Sequence, residues 1–287
     1  MQPVSDLMHT ARADRLKALL DRPEDEIDLA EAALLVATDE YPALDIEAYL
    51  RRLDELAEGV RRRLQPEADF ETTVVALNEF LFDEQGFCGN TEDYYDPRNS
   101  FLNEVLDRRR GIPVTLAILY IEIGRRLGLA LEGVTFPGHF LVKTATAEGE
   151  VVLDPFSGGM PVSEEDLRER LQARFPEHDA PLGALARLLA AADKKQILLR
   201  MLRNLKAIYL HREQHDKALG VLNRMLSIDP VLPEELRERG EVYMRLECFR
   251  AALQDFRRYL DLNPAAAEAA LLHRRISDLE RLAARLN

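Results

Sequence analysis

The chain has 287 residues, with 51 acidic against 38 basic side chains and a formal net charge of −13. That length allows one large or two modest domains. The acidic balance argues against a nucleic-acid binder, whose affinity rests on basic surface.

Two short basic runs, Arg61-Arg62-Arg63 and Arg108-Arg109-Arg110, sit beside Glu58, Glu67 and Asp107. They read as solvated helix ends rather than a phosphate patch. The opening "MQPVSDLMHT" has neither a basic start nor an apolar stretch, so no signal peptide is read. No run approaches the ~20 apolar residues of a membrane span. The expected location is cytoplasmic, with reduced thiols. The two cysteines, Cys88 and Cys248, fall in different candidate domains, and no disulfide is expected. Without CxxC, HExxH or clustered His and Cys, no metal is expected, and without a glycine-rich phosphate loop no nucleotide cofactor is expected.

Residues 1–84 read as helical. "DIEAYLRRLDELAEGVRRRL" carries Ile46, Tyr49, Leu50, Leu53, Leu56 and Val60 at helical spacing. "DFETTVVALNEFLFDEQG" repeats the pattern, with Gly86 as a stop. A polar, turn-rich loop follows, "GFCGNTEDYYDPRNS", and Ser100 is placed to cap the short helix "FLNEVLDRR". The next helix is expected over 112–128, with Pro113 in its first turn, where a missing N–H costs nothing. Its "LAILYI" is apolar nearly all round, which predicts the buried centre of a domain. "LEGVTF", "HFLVKTAT" and "VVLDPF" are three short strands. Pro137-Gly138 and a turn around Glu148-Gly149 join them, which implies an antiparallel meander. "SEEDLRERLQARF" opens with a capping-box pattern, Ser163 and Asp166.

From about Asp193 the chain is strand-free. Tyr209 and Tyr243, Ala218 and Ala252, Leu222 and Phe256, and Pro230 and Pro264 recur at one constant spacing. That spacing is the roughly 34-residue period of the tetratricopeptide repeat, which this segment resembles. A small Ala lets two helices approach, an aromatic fills the gap to the next helix, and Pro stops the second helix. Two repeats, about 199–232 and 233–266, precede a capping helix. Lys206 stands where the family usually has Gly, and Arg239 where an apolar residue is expected. Cys248 reads as a packing residue of the second repeat. The domains are therefore drawn at 1–190 and 191–287.

The segment around Pro113 raises a chemical question. Thiol enzymes of the papain type start a helix with Cys, whose pKa is lowered by the helix end and a neighbouring His. A carboxylate or amide orients the His. Chain order here is helix start, His139, Asp154, and an antiparallel hairpin brings the last two together. Blander readings remain open: Asp before Pro commonly starts a turn, and His139 after Pro-Gly can simply satisfy a carbonyl.

The segment resembles the transglutaminase-like superfamily, whose core reads Gly-x-Cys, a helix ending Leu-Gly, a strand His and an Asp-Pro. Gly111, Ala117, Gly128, His139 and Asp154-Pro155 match that pattern. The longer block from "GNTEDYYDPRNS" to "LDPFSGG", with trailing repeats, resembles the bacterial SirB-type family over about residues 30–285. The resemblance implies an α+β fold: a mainly helical, papain-like domain with a small antiparallel sheet, then an all-α repeat module. It also puts the nucleophile position on Pro113. Thr115, about 200° further round the helix, is a poor substitute, and Cys88 is the other nearby nucleophile. Arg98, Asn99, Arg109 and Arg110 lead up to Pro113, and at least one of them is expected to fix the loop there. Two functions follow as expectations. One is a non-catalytic scaffold binding a protein or peptide through its repeats, with His139 and Asp154 as a degenerate dyad. The other is a cysteine-dependent amide hydrolase or transamidase using Cys88, His139 and Asp154. Neither calls for nucleic acid or membrane as a partner.

Overall fold

A computed structural model describes residues 4–147, 149–175 and 184–285. The chain divides into two compact units, Met1–Met201 and Leu202–Asn287.

The first unit opens with four helices, α1 (Val4–Leu20), α2 (Leu29–Ala37), α3 (Ile46–Arg61) and α4 (Phe70–Asn78). Asp28, Asp45 and Asp69 cap the last three, each accepting from a backbone N–H three residues on. After α4 the backbone widens into a π-helical turn at residues 79–84, and Gly86, at φ 72, ends the run. Two stubs follow, β1 (Cys88–Gly89) and β2 (Arg110–Gly111), separated by α5 (Leu102–Arg108). They pair in parallel, Cys88 with Arg110 and Gly89 with Gly111. The expected Ser100 cap does not form. Residues 97–100 make a 3-10 turn, the α5 N-cap is Phe101, and the buried Ser100 Oγ makes no hydrogen bond.

α6 (Pro113–Arg126) is the centre of this unit. Every residue from Pro113 to Gly124 is buried, as an all-round apolar helix requires. Gly128, at φ 85, follows its end. Then come β3 (Glu132–Val134), β4 (Leu141–Thr146), β5 (Gly149–Asp154), β6 (Met160–Pro161), α7 (Glu164–Arg174), α8 (Ala184–Leu188) and β7 (Ala191–Ala192). The sheet order is β6-β5-β4-β3-β7, antiparallel throughout. The three expected strands form its middle, and the short edges β6 and β7 are additions. His139 lies in the turn before β4 rather than in the strand. Glu148, expected in the β4–β5 turn, lies outside the described residues. The capping box of α7 is present, with Ser163 and Asp166 bonding each other's backbone N–H. Leu167 and Leu171 of α7 pack with Val134, Leu141 and Val152 on one sheet face, while α6 packs against β3 and β4.

The second unit contains the end of α9 (Lys194–His211), then α10 (His215–Ile228), α11 (Pro233–Arg245), α12 (Phe249–Leu262) and α13 (Ala269–Arg285). The repeat positions behave as their spacing predicts: Ala218, Leu222, Ala252 and Phe256 are fully buried. A Cβ on Gly240 would meet the Phe256 ring at 2.5 Å, so α11 and α12 touch backbone to ring there. The two departures from the repeat pattern are resolved by charge pairing. Arg239 donates to both Asp255 oxygens at 2.7 Å and to Asn223 at 2.9 Å. Lys206 pairs with Glu238 at 2.5 Å. Cys248 corrects an expectation: it is exposed, at the N-cap of α12, because it belongs to the turn and not to the helix face.

Candidate functional site

Asp154 closes β5 and is 1% exposed, so its charge must be met inside the protein. His139 Nε2 lies 2.9 Å from Asp154 Oδ1. The same oxygen accepts from the Phe156 N–H at 3.1 Å, which starts the 3-10 turn 155–157. Asp154 Oδ2 accepts from Ser157 Oγ at 3.1 Å and from Arg170 Nη1 of α7 at 3.0 Å. Burial pushes the Asp154 carboxyl pKa up, but the bonds and charges of His139 and Arg170 outweigh it and hold the group below its ordinary value. The His139 ring, 19% exposed, stands edge-on to Phe156 at 5.8 Å. Arg170 carries no sequence signature: on a polar helix such as α7 it looks like any solvated arginine.

Pro113 begins α6 and is buried. Thr115, fully buried, is committed to the backbone. Its Oγ1 donates to the Asn99 carbonyl at 2.7 Å and accepts from the Ile112 N–H at 3.1 Å. Gly111 lies so close that a Cβ there would meet Thr115 Oγ1 at 2.9 Å.

Cys88 is exposed and lies beside the strand that leads into α6. A Cβ on Gly89 would meet the Phe156 ring at 2.5 Å, so the Gly89 face of β1 is the Phe156 and His139 side. Successive strand residues point to opposite faces, which turns the Cys88 side chain the other way. Among the described residues no hydrogen bond joins Cys88 to His139.

Asn99 is the hub of the loop before α5. It is fully buried, donates to the Asp93 and Tyr94 carbonyls at 2.7 and 3.3 Å, and accepts from Asn90 at 3.0 Å. Arg98 and Arg108 both pair with buried Asp96, whose pKa is raised by burial but lowered more by these two arginines. Arg110 pairs with Glu92 at 2.7 Å. Arg109 takes the left-handed backbone conformation, φ 58, closing α5, and lines a cavity with α3. Among the described residues no group of three or more His, Cys, Asp or Glu is placed to hold a metal ion, and no helix is long and apolar enough to cross a membrane.

Residues 47–203 match the model of the transglutaminase-like superfamily. This chain belongs to that superfamily. Residues 205–277 match a tetratricopeptide-repeat model, in the order the sequence implied. A UPF0162 protein of Xylella fastidiosa is 40% identical over 89% of this chain and 91% of its own. One of Vibrio cholerae is 33% identical over 91% of this chain and 96% of its own, so the chain shares a family with the UPF0162 proteins. Human F-box only protein 21 is 29% identical over 75% of this chain but only 37% of its own length.

Proposed function

We propose that this chain is a non-catalytic transglutaminase-like domain, drawn at 1–190, joined to a repeat module at 191–287, and that it acts as a protein-binding or regulatory scaffold. Pro113 carries this reading. The superfamily places its nucleophile at that first helical position, and proline has neither a nucleophilic atom nor an N–H. Thr115 cannot stand in, because its hydroxyl is already spent on Asn99 and Ile112. His139 and Asp154 then act as a structural pair that, with Arg170, ties the entry of β4 to the end of β5 and to α7. The repeat module supplies the surface for a protein or peptide partner, the usual use of such arrays.

The second reading is a cysteine-dependent amide hydrolase or transamidase. The exposure of Cys88 beside the start of α6 favours it; the alternation along β1 opposes it. The test treats wild type, Cys88→Ala and His139→Ala with an acyl-donor ester probe and looks for a mass adduct. The scaffold reading expects no adduct that depends on His139. An adduct on Cys88 that vanishes in His139→Ala overturns it and installs the hydrolase.

A further inference from the structure

The two arginine triplets, far apart in sequence, meet at one cavity of the transglutaminase-like domain. Its volume is about 360 Å³, within the range of small-molecule sites. Arg52, Arg62 and Arg63, from α3 and the turn after it, line it together with Arg109. Leu56, Phe80 and Phe87 lie buried behind them, so the surface the cavity presents is mostly polar. Glu55, Gly59 and Gln85 complete the lining.

Two of the arginines are occupied. Arg52 pairs with Asp107 at 2.5 Å and donates to the Leu106 carbonyl. Arg63 pairs with Glu84, donates to the Gly59 carbonyl and lies 4.4 Å over the Phe80 ring. They form fixed walls with their charge already matched. Arg62 and Arg109 differ: among the described residues no ion pair or hydrogen bond engages either side chain. Arg109 also holds a backbone conformation that costs a non-glycine residue about 1 kcal/mol. Glycine is the ordinary choice at such a helix end.

We propose that this cavity binds a small phosphate-bearing ligand, with Arg62 and Arg109 holding the phosphate. Two guanidinium forks from separate elements offer more donors than one carboxylate can accept, whereas a phosphate monoester presents three terminal oxygens. Glu55 works against an anion in this position, which gives the proposal a signed test.

The experiment is isothermal titration of the full chain with phenyl phosphate, with benzoate and inorganic phosphate as comparison probes at matched ionic strength. Phenyl phosphate should bind saturably and more tightly than benzoate, and inorganic phosphate should compete with it for the same site. Arg62→Gln and Arg109→Asn should each weaken it about tenfold. Asn tolerates the left-handed conformation, so a loss in Arg109→Asn with an unchanged melting temperature is not a folding defect. Glu55→Gln should tighten binding. Arg61→Gln should leave it unchanged, since Arg61 is tied to Glu58 and the Arg126 carbonyl and does not line the cavity. No saturable binding, benzoate binding as tightly as phenyl phosphate, an equal loss in Arg61→Gln, or wild-type affinity in both Arg62→Gln and Arg109→Asn would each overturn the proposal.

Discussion

Replacing Asp154 with asparagine keeps the shape of the side chain and one acceptor oxygen but removes its charge. The retained oxygen can still take the Phe156 N–H. The new amide group faces Ser157 Oγ and Arg170 Nη1, which donate to a carboxylate oxygen in the wild type. The Arg170 contact is lost, while the His139 contact, made to the retained oxygen, keeps its hydrogen bond but loses its charge; a charge-assisted contact contributes about 1.5–3 kcal/mol when buried. Arg170 is 38% exposed, so its share is discounted for solvent screening. The expected cost is about 1–2 kcal/mol, a fall of roughly five- to thirtyfold in the protection of backbone amides around β4 and β5. Hydrogen exchange read by mass spectrometry on peptides covering 141–154 measures this directly. The pH dependence has a fixed sign. The Asp154 pKa is lowered in the folded state, so its contribution is complete above the unfolded value, about 3.9. It is lost as pH falls through the lower folded value. The gap between wild type and Asp154→Asn should therefore close below about pH 4. Equal protection at neutral pH, or a gap that widens in acid, would refute the argument.

Asn99→Ala leaves the Asp93 carbonyl and the Asn90 amide without their partner in a buried setting. It should cost about 2–4 kcal/mol and speed exchange across residues 90–100. Thr115→Val, which strips the cap from α6 and the tie to Asn99, should cost about 1–3 kcal/mol in urea unfolding. In the repeat module two alanine substitutions should move stability in opposite directions. Gly240→Ala forces a methyl into the Phe256 ring and should destabilise by about 1–3 kcal/mol. Gly220→Ala, with open space around it inside α10, should stabilise by roughly 0.5–1 kcal/mol. Thermal melts of the two variants decide both signs.

Sequence periodicity carried most of the fold. The buried α6, the three central strands and the repeat hairpins each rest on many residues agreeing on one spacing, and a pattern of that length is hard to mistake. The His139 and Asp154 contact followed from topology, since a hairpin returns the chain to its neighbour. Other features have no such signature. β1 and β2 are two residues each, too short for a sequence pattern, and what pairs them is hydrogen bonds from the Cys88 and Asn90 N–H groups to the Arg109 and Gly111 carbonyls. Asn99 and Ser100 are adjacent polar residues in one loop. One is the hub of a hydrogen-bond network and the other a buried hydroxyl without a partner, and residue type alone does not separate them. Arg170 and Arg62 look alike in a helical wheel. One reaches a buried carboxylate and the other lines a cavity, a difference set by tertiary contacts.

In the proposed scaffold, position 113 is the superfamily's nucleophile position, closed by proline. The most direct measurement is the thiol pKa of Pro113→Cys in a Cys88→Ser, Cys248→Ser background, read from ultraviolet thiolate absorbance against pH. If position 113 faces His139 as the superfamily pattern implies, a thiol at that helix N-terminus should titrate well below the free value of about 8.5 and move back toward it in His139→Ala. A thiol that titrates at or above that value, with the circular dichroism unchanged, would contradict the account.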